Sequence, residues 1–170
     1  GGLVINHQPL SGAHGWSGEI GHICVEPQGN VCSCGARGCL ETIAGLKALC
    51  RAAGLEDESS ARELTQLAGH SAKAQDALAN AGHALGQALA GVVNTVDISQ
   101  VYLGGRVPET ALYLLPTLHE ELETRVLQAP WYAPAIDILP SSEDLSLRGG
   151  AFQILERILD DPIHWKDGAF

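Results

Sequence analysis

An α/β fold is what the sequence predicts, and three observations predict it. Short apolar runs, QVYL at 100–103 and AIDIL at 135–139, alternate with longer segments of helical period through the second half. That order is expected when helices cover a mostly parallel sheet. Glycines punctuate the elements, with Gly54 after one helical segment and Gly104-Gly105 after one apolar run. The 170 residues are 45% hydrophobic and 18% charged. That balance excludes whole-chain disorder and suits one domain with a real core.

Each element follows in order. Residues 1–5 read as a strand, and 6–9 as a turn. Glycines at 12, 15, 18 and 21 lack the flanking prolines a collagen period needs. They mark a loop with unusual backbone angles or close approach. Residues 22–25 read as a short strand, and 27–38 as a loop holding clustered cysteines. Leu40, Ile43, Leu46 and Cys50 recur at helical spacing, so a helix is expected over 39–53, ended by Gly54. A polar break at 57–60 precedes a helix from Ser60 or Ala61 to Ala68. A longer helix spans 72–95, with Leu78, Leu85, Leu89 and Val92 on one face and Gly82 and Gly86 on a close-packed one.

After the strand at 100–103, Pro108 or Glu109 opens a helix to Leu127 that includes Leu112, Leu115, Leu118 and Leu122. Residues 135–139 form the next strand. Ser142 is expected to cap a last helix, with Glu143 and Asp144 in its acidic first turn. Gly149-Gly150 should interrupt that helix, which ends near Leu159 before a polar tail at 161–170. There is no internal repeat, low-complexity tract or interdomain linker. The chain opens on Gly1-Gly2 and contains no Met, so it reads as a piece cut from something longer. It shows no secretory signal pattern, and no apolar run nears the ~18 residues of a membrane span.

Net charge is −10, from 20 acidic and 10 basic residues. A duplex-binding surface needs a basic patch, so any DNA contact belongs to a domain outside this chain. The five cysteines are Cys24, Cys32, Cys34, Cys39 and Cys50. Five is odd, and three fall within eight residues. That pattern argues for a reducing, cytoplasmic setting and a metal cluster over a disulfide framework.

The cluster is Cys32-Ser33-Cys34-Gly35-Ala36-Arg37-Gly38-Cys39. Its three thiols can converge on one ion, with Gly35 and Gly38 letting the backbone fold around it. His22 is the candidate fourth ligand. A Cys3His set fills tetrahedral zinc with protein atoms, which makes the zinc structural and not a water activator. The alternative is three buried thiols without metal. Cys24 and Cys50 lie outside the spacing and read as small core hydrophobes. If His22 and Cys39 share an ion, Glu19 and Glu41 come to the same neighbourhood. Two carboxylates and an imidazole can then accept hydrogen bonds from the hydroxyls of a sugar. Read alone, Glu19 is a solvated loop charge and Glu41 a first-turn helix acid.

Other residues carry weaker readings. Trp16 is expected to pack over the glycine loop, with sugar stacking as the alternative. Trp131-Tyr132 reads as a hydrophobic plug. His14, in the glycine loop, reads as a surface or satisfied histidine, with approach to a sugar as the alternative. Arg37 offsets thiolate charge or is solvated. Arg106 reads as a surface residue, with a phosphate contact as the kinase alternative.

GEIGH at 18–22, CSCGARGC at 32–39 and LE at 40–41, with the glycine-spaced approach before them, closely resemble the signature of the ROK family of sugar kinases and sugar-responsive repressors. AGHALGQALAGVVNTVDISQVYLGG at 81–105 and the region from Leu147 to Ala151 resemble it more weakly. The resemblance implies an actin-like, ribonuclease-H-like sugar-kinase fold. This chain would be its second, C-terminal lobe, with an inserted zinc loop. A zinc and sugar segment would occupy 1–53, a helical and α/β remainder 54–160, and a tail 161–170. Zinc falls on His22, Cys32, Cys34 and Cys39. Sugar hydroxyls fall on Glu19, His22 and Glu41, with His22 using both ring nitrogens.

The same resemblance leaves two branches. In a kinase, the Gly104-Gly105 turn would face ATP with Mg2+. The aspartate base and first phosphate loop would lie in the other lobe, since Asp57, Asp76, Asp97 and Asp137 stand in no motif. In a repressor, a sugar or sugar phosphate would act on the DNA-binding heads of a homodimer or tetramer. Residues 61–94 and the ending favour the repressor. A third reading takes the zinc loop as a protein-interaction knuckle only. Glu41→Ala separates it, because only a sugar site should lose ligand affinity. The last helix is expected to pack on the other half of the protein, leaving an apolar face uncovered in this chain.

Overall fold

The computed structural model describes residues 1–127, 129–140 and 144–162. The chain starts with a hairpin of β1 (Val4–Ile5) and β2 (Gln8–Pro9), paired Val4 to Pro9 and Ile5 to Gln8. Asn6 and His7 both take positive φ, 52° and 63°. Such a two-residue turn matches the twist of its strands, so the expected turn at 6–9 is tighter and returns into a strand.

The expected strand at 22–25 does not form. Residues Ile20–His22 wind into a single 3-10 turn, and only Cys24 pairs, in an isolated bridge with Cys39. The expected helix over 39–53 is two helices, α1 (Glu41–Ala44) and α2 (Leu46–Ala53). Gly45 divides them in an extended conformation with ψ 143°. A Cβ there would fall 2.6 Å from Glu41 Oε1 and 2.5 Å from its carbonyl oxygen. The chain therefore turns where only glycine leaves room for the Glu41 carboxylate.

Helix α3 (Ala61–Ala68) begins with a capping box. The Ser60 side chain accepts from the Glu63 amide, and the Ser60 amide donates to the Glu63 carboxylate. These contacts hold the Glu63 carboxyl below its usual range. Helix α4 (Ala72–Val96) is capped by Ser71 and ends on Asp97 in the left-handed region. Strand β3 (Gln100–Leu103), helix α5 (Val107–Arg125) and strand β4 (Ala135–Ile138) form one parallel β-α-β unit, with Gln100 opposite Ala135 and Leu103 opposite Ile138. This unit is the α/β element that the alternation predicts. Helices make up most of the rest.

The core lies between α4 and α5. Gly82 and Gly86 lie against α5. A Cβ on Gly82 would overlap Thr117 Oγ1 and the Leu114 carbonyl oxygen, and one on Gly86 would come 2.5 Å from Glu121 Cβ. Pairings at 82 with 114 and 86 with 118 advance in step, so the helices run side by side in one direction. The Thr117 hydroxyl donates to the Ala79 carbonyl, and Asn94 donates to the Arg125 carbonyl. Leu64, Leu78 and Leu118 are fully buried among them. The buried face of α5 is Ala111, Leu114, Leu118 and Leu122, and Leu112 points outward. On α4, Val93 is buried in place of Val92.

Helix α6 (Leu145–Asp160) runs unbroken through Gly149-Gly150, contrary to the expected interruption, and buries none of its residues. Leu147, Phe152, Ile154, Leu155 and Leu159 are exposed. The expected cap at Ser142 and most of the expected tail lie outside the described residues. Trp131 and Tyr132 are exposed and plug nothing. Among the described residues, no helix is long and apolar enough to cross a membrane.

Candidate metal centre and adjoining cleft

The loop of residues 24–40 is folded by its own backbone. Cys32 N–H donates to the Ala36 carbonyl, Gly35 N–H to that of Cys32, and Gly38 N–H to that of Asn30. The Gly38 carbonyl in turn accepts from Val25 and Glu26. Gly35 and Gly38 take φ of 91° and 74°, the backbone freedom the sequence calls for. Arg37 donates to the Gly29 carbonyl at 3.0 Å. It braces the loop from an exposed position. The Leu40 amide ties the loop to Ile23, so α1 starts beside the 3-10 turn.

This folding brings four expected donors together. The donor atoms of His22, Cys32, Cys34 and Cys39 all lie within 4.8 Å of one another. His22 Nδ1 is 3.7 Å from Cys32 Sγ, and Cys34 Sγ is 3.7 Å from Cys39 Sγ. A tetrahedral ion with metal–sulfur bonds of ~2.3 Å needs sulfurs about 3.8 Å apart. All five cysteines are free thiols. The set can therefore hold a metal ion once the wider pairs draw in by up to about 1 Å.

Charge leads to the same reading. The Cys34 backbone amide, with Cys34, His22 and Cys39 side chains assisting, holds the Cys32 thiol down at about 6 against the effect of burial. Burial pushes Cys39 up to about 12, with Cys34 and Cys32 adding to the rise. Fully buried Cys39 therefore holds its proton, and ionising it beside Cys32 and Cys34 would set like charges close together. A divalent cation held by these donors would offset that cost. Cys50 is buried and donates to the Ser59 carbonyl, as a core thiol should. Cys24 is exposed and is not the core hydrophobe expected.

Glu19, His22 and Glu41, the expected sugar contacts, line one cleft of about 500 Å3. The 3-10 turn and α1 supply its polar side, and Leu85, Val107 and Leu114 its apolar floor. Cavities of this size accept small molecules. Among its lining residues the polar side chains are Glu19, His22, Ser33 and Glu41. Sequence reasoning missed Ser33, which carries no signal beyond its place between two metal-ligand candidates. It also missed Gly45, hidden inside a helical period.

The expected nucleotide turn, Gly104-Gly105, lies between β3 and α5, with Gly105 at φ 66°. Neither glycine lines the cleft, although Val107 just after them does. His14 and Trp16 stand together around a separate hollow, and Trp16 is 78% exposed and does not pack over the loop. Arg106 is exposed, as a surface residue should be.

A family model described as "ROK family" matches residues 1–158. The chain belongs to the ROK family. It is 31% identical over 163 residues to a xylose repressor from Bacillus spizizenii, covering 94% of this chain and 42% of that protein. It is 30% identical over 166 residues to an N-acetylmannosamine kinase from Haemophilus influenzae, covering 95% and 53%. The chain thus spans about half the length of these ROK proteins.

Among solved structures, a ROK hexokinase from Thermus thermophilus superposes with a TM-score of 0.72 at 30% identity, covering 91% of this chain and 53% of that one. A ROK family transcriptional regulator, a homologue of the E. coli MLC protein, gives 0.70 at 28% identity, covering 81% and 37%. The fold is that of ROK sugar kinases, and both kinases and repressors share it with this chain.

Proposed function

We propose that this chain is the sugar-sensing C-terminal part of a ROK-type transcriptional regulator, stabilised by a structural zinc. The observation that carries the sugar reading is the convergence of Glu19, His22 and Glu41 on one cleft. Ionised carboxylates accept hydrogen bonds from sugar hydroxyls, and the apolar floor suits a ring face. His22, Cys32, Cys34 and Cys39 would hold the zinc. Bound there, zinc would neutralise the thiolates and fix the loop. His22 Nδ1 lies 3.7 Å from Cys32 Sγ, so Nε2 would be the nitrogen left for the sugar.

A regulator works by population shift. A sugar that prefers one arrangement of two lobes stabilises it, and DNA-binding heads elsewhere in a dimer or tetramer follow. The net charge of −10 supports placing DNA contact outside this chain. The likeness to xylose repressors over 94% of the chain supports the regulator. The similar likeness to N-acetylmannosamine kinases supports a second reading, the C-terminal lobe of an ATP-dependent sugar kinase. There, Gly104 and Gly105 would meet nucleotide phosphate and Mg2+ would assist.

The test uses the full-length protein with D-xylose, D-glucose or N-acetyl-D-mannosamine and Mg-ATP. A regulator binds sugar, releases no ADP, and changes its DNA affinity with sugar. Sugar-dependent ADP release overturns the regulator in favour of the kinase.

A further inference from the structure

Ser33 stands between two of the four donors, Cys32 and Cys34, and it lines the cleft with Glu19, His22 and Glu41. It also lines a neighbouring cavity of about 790 Å3, whose polar walls include Glu26, Asn30, Lys47 and Arg51. Ser33 and Glu41 are the polar side chains common to both spaces. A ligand seated against Glu19 and Glu41 would therefore pass Ser33 with any substituent directed toward the larger space.

The chemistry of the cleft is lopsided without Ser33. Its two carboxylates accept hydrogen bonds only, and His22 with one nitrogen on a metal offers a single further group. A sugar also carries ring, hydroxyl and acyl oxygens that need donors. The Ser33 hydroxyl has one donor and two acceptor sites. Its contact to Cys32 Sγ is long, 4.0 Å, which leaves the hydroxyl proton free to turn toward a ligand.

We propose that Ser33 is a specificity-determining contact, its hydroxyl donating to a ligand oxygen at the boundary between the two cavities. The inference rests on the cleft being a sugar site. It adds that a residue of the metal loop itself reads the ligand. Because Cys32 and Cys34 flank it, loading the metal sets where that hydroxyl stands.

The test measures binding of D-glucose, D-xylose and N-acetyl-D-mannosamine by calorimetry to full-length, zinc-loaded protein. Wild type, Ser33→Ala, Ser33→Thr and Glu41→Gln are compared, with zinc content determined for each. The expected result is that Ser33→Ala weakens the tightest-binding sugar by about fivefold to tenfold. The three sugars should be affected unequally, zinc content should be unchanged, and Ser33→Thr should restore the wild-type order. Equal binding of all three sugars by Ser33→Ala and wild type, with Glu41→Gln defective, overturns the proposal alone. Loss of zinc in Ser33→Ala also overturns it, because the role is then structural. Undiminished binding by Glu41→Gln overturns the sugar-site reading beneath it.

Discussion

Gly38 and Glu26 touch so closely that no other residue fits at position 38. A Cβ there would overlap the Glu26 carbonyl oxygen, and the Gly38 φ of 74° disfavours any side chain. The Gly38 carbonyl accepts from the Val25 and Glu26 amides, so this contact closes the loop that carries the donors. Gly38→Ala should weaken zinc affinity by at least ~10-fold, the scale of lost support around a metal site. Competition with a chromophoric chelator reads it directly. Wild-type affinity in the variant would show that the loop's closure does not position the donors.

Metal binding should be proton-linked, and its sign follows from the thiols. Cys39 sits at about 12 without metal and is a thiol at neutral pH, whereas Cys32 at about 6 is already mostly thiolate. Zinc must displace the Cys39 proton, so affinity rises with pH from 6 to 9 by about tenfold or more per unit. Below pH 6 the Cys32 proton must leave as well, and the fall in affinity steepens. Titrations in two buffers of different ionisation enthalpy count the protons. Zinc uptake with no proton release at pH 7 would contradict the assignment of Cys39.

Two glycines of α4 should respond with opposite signs to the same change. Gly82 touches α5, whereas nothing lies within 4 Å of a Cβ on Gly91, which is exposed. Gly91→Ala should stabilise by roughly 0.5–1 kcal/mol through helix propensity. Gly82→Ala should destabilise by about 1–3 kcal/mol through overpacking. Chemical denaturation of both variants distinguishes them. Equal effects would mean that α4 and α5 do not approach at Gly82.

The legible parts of this molecule were those where sequence neighbours meet. Cys32, Cys34 and Cys39 converge because a short glycine loop closes on itself, and spacing alone reveals that. The β-α-β unit follows from alternation. The break at Gly45 was hidden because Leu40, Ile43, Leu46 and Cys50 keep a helical period across it. Its cause, room for the Glu41 carboxylate, is a steric fact of the folded chain. The run at 22–25 looks like a strand, yet its partner offers a single bridge and the preceding residues wind into a turn. Trp16, Trp131 and Tyr132 were misplaced because an aromatic side chain does not say what is near enough to cover it.

Helix α6 leaves Phe152 and Leu155 exposed, 61% and 51%, on a helix that buries nothing. Exposed apolar patches drive association, so this chain on its own should self-associate at micromolar concentration. Phe152→Asp with Leu155→Asp should return it to a monomer in sedimentation velocity without loss of helix content. A wild-type chain that stays monomeric at high concentration would contradict that.

If one loop serves metal and sugar together, removing the metal must disturb the sugar site. Cys34→Ala in the full-length protein should lose zinc retention and, with it, the response to whichever of D-xylose, D-glucose or N-acetyl-D-mannosamine the wild type binds. A zinc-free protein that still responds to sugar as the wild type does would contradict it.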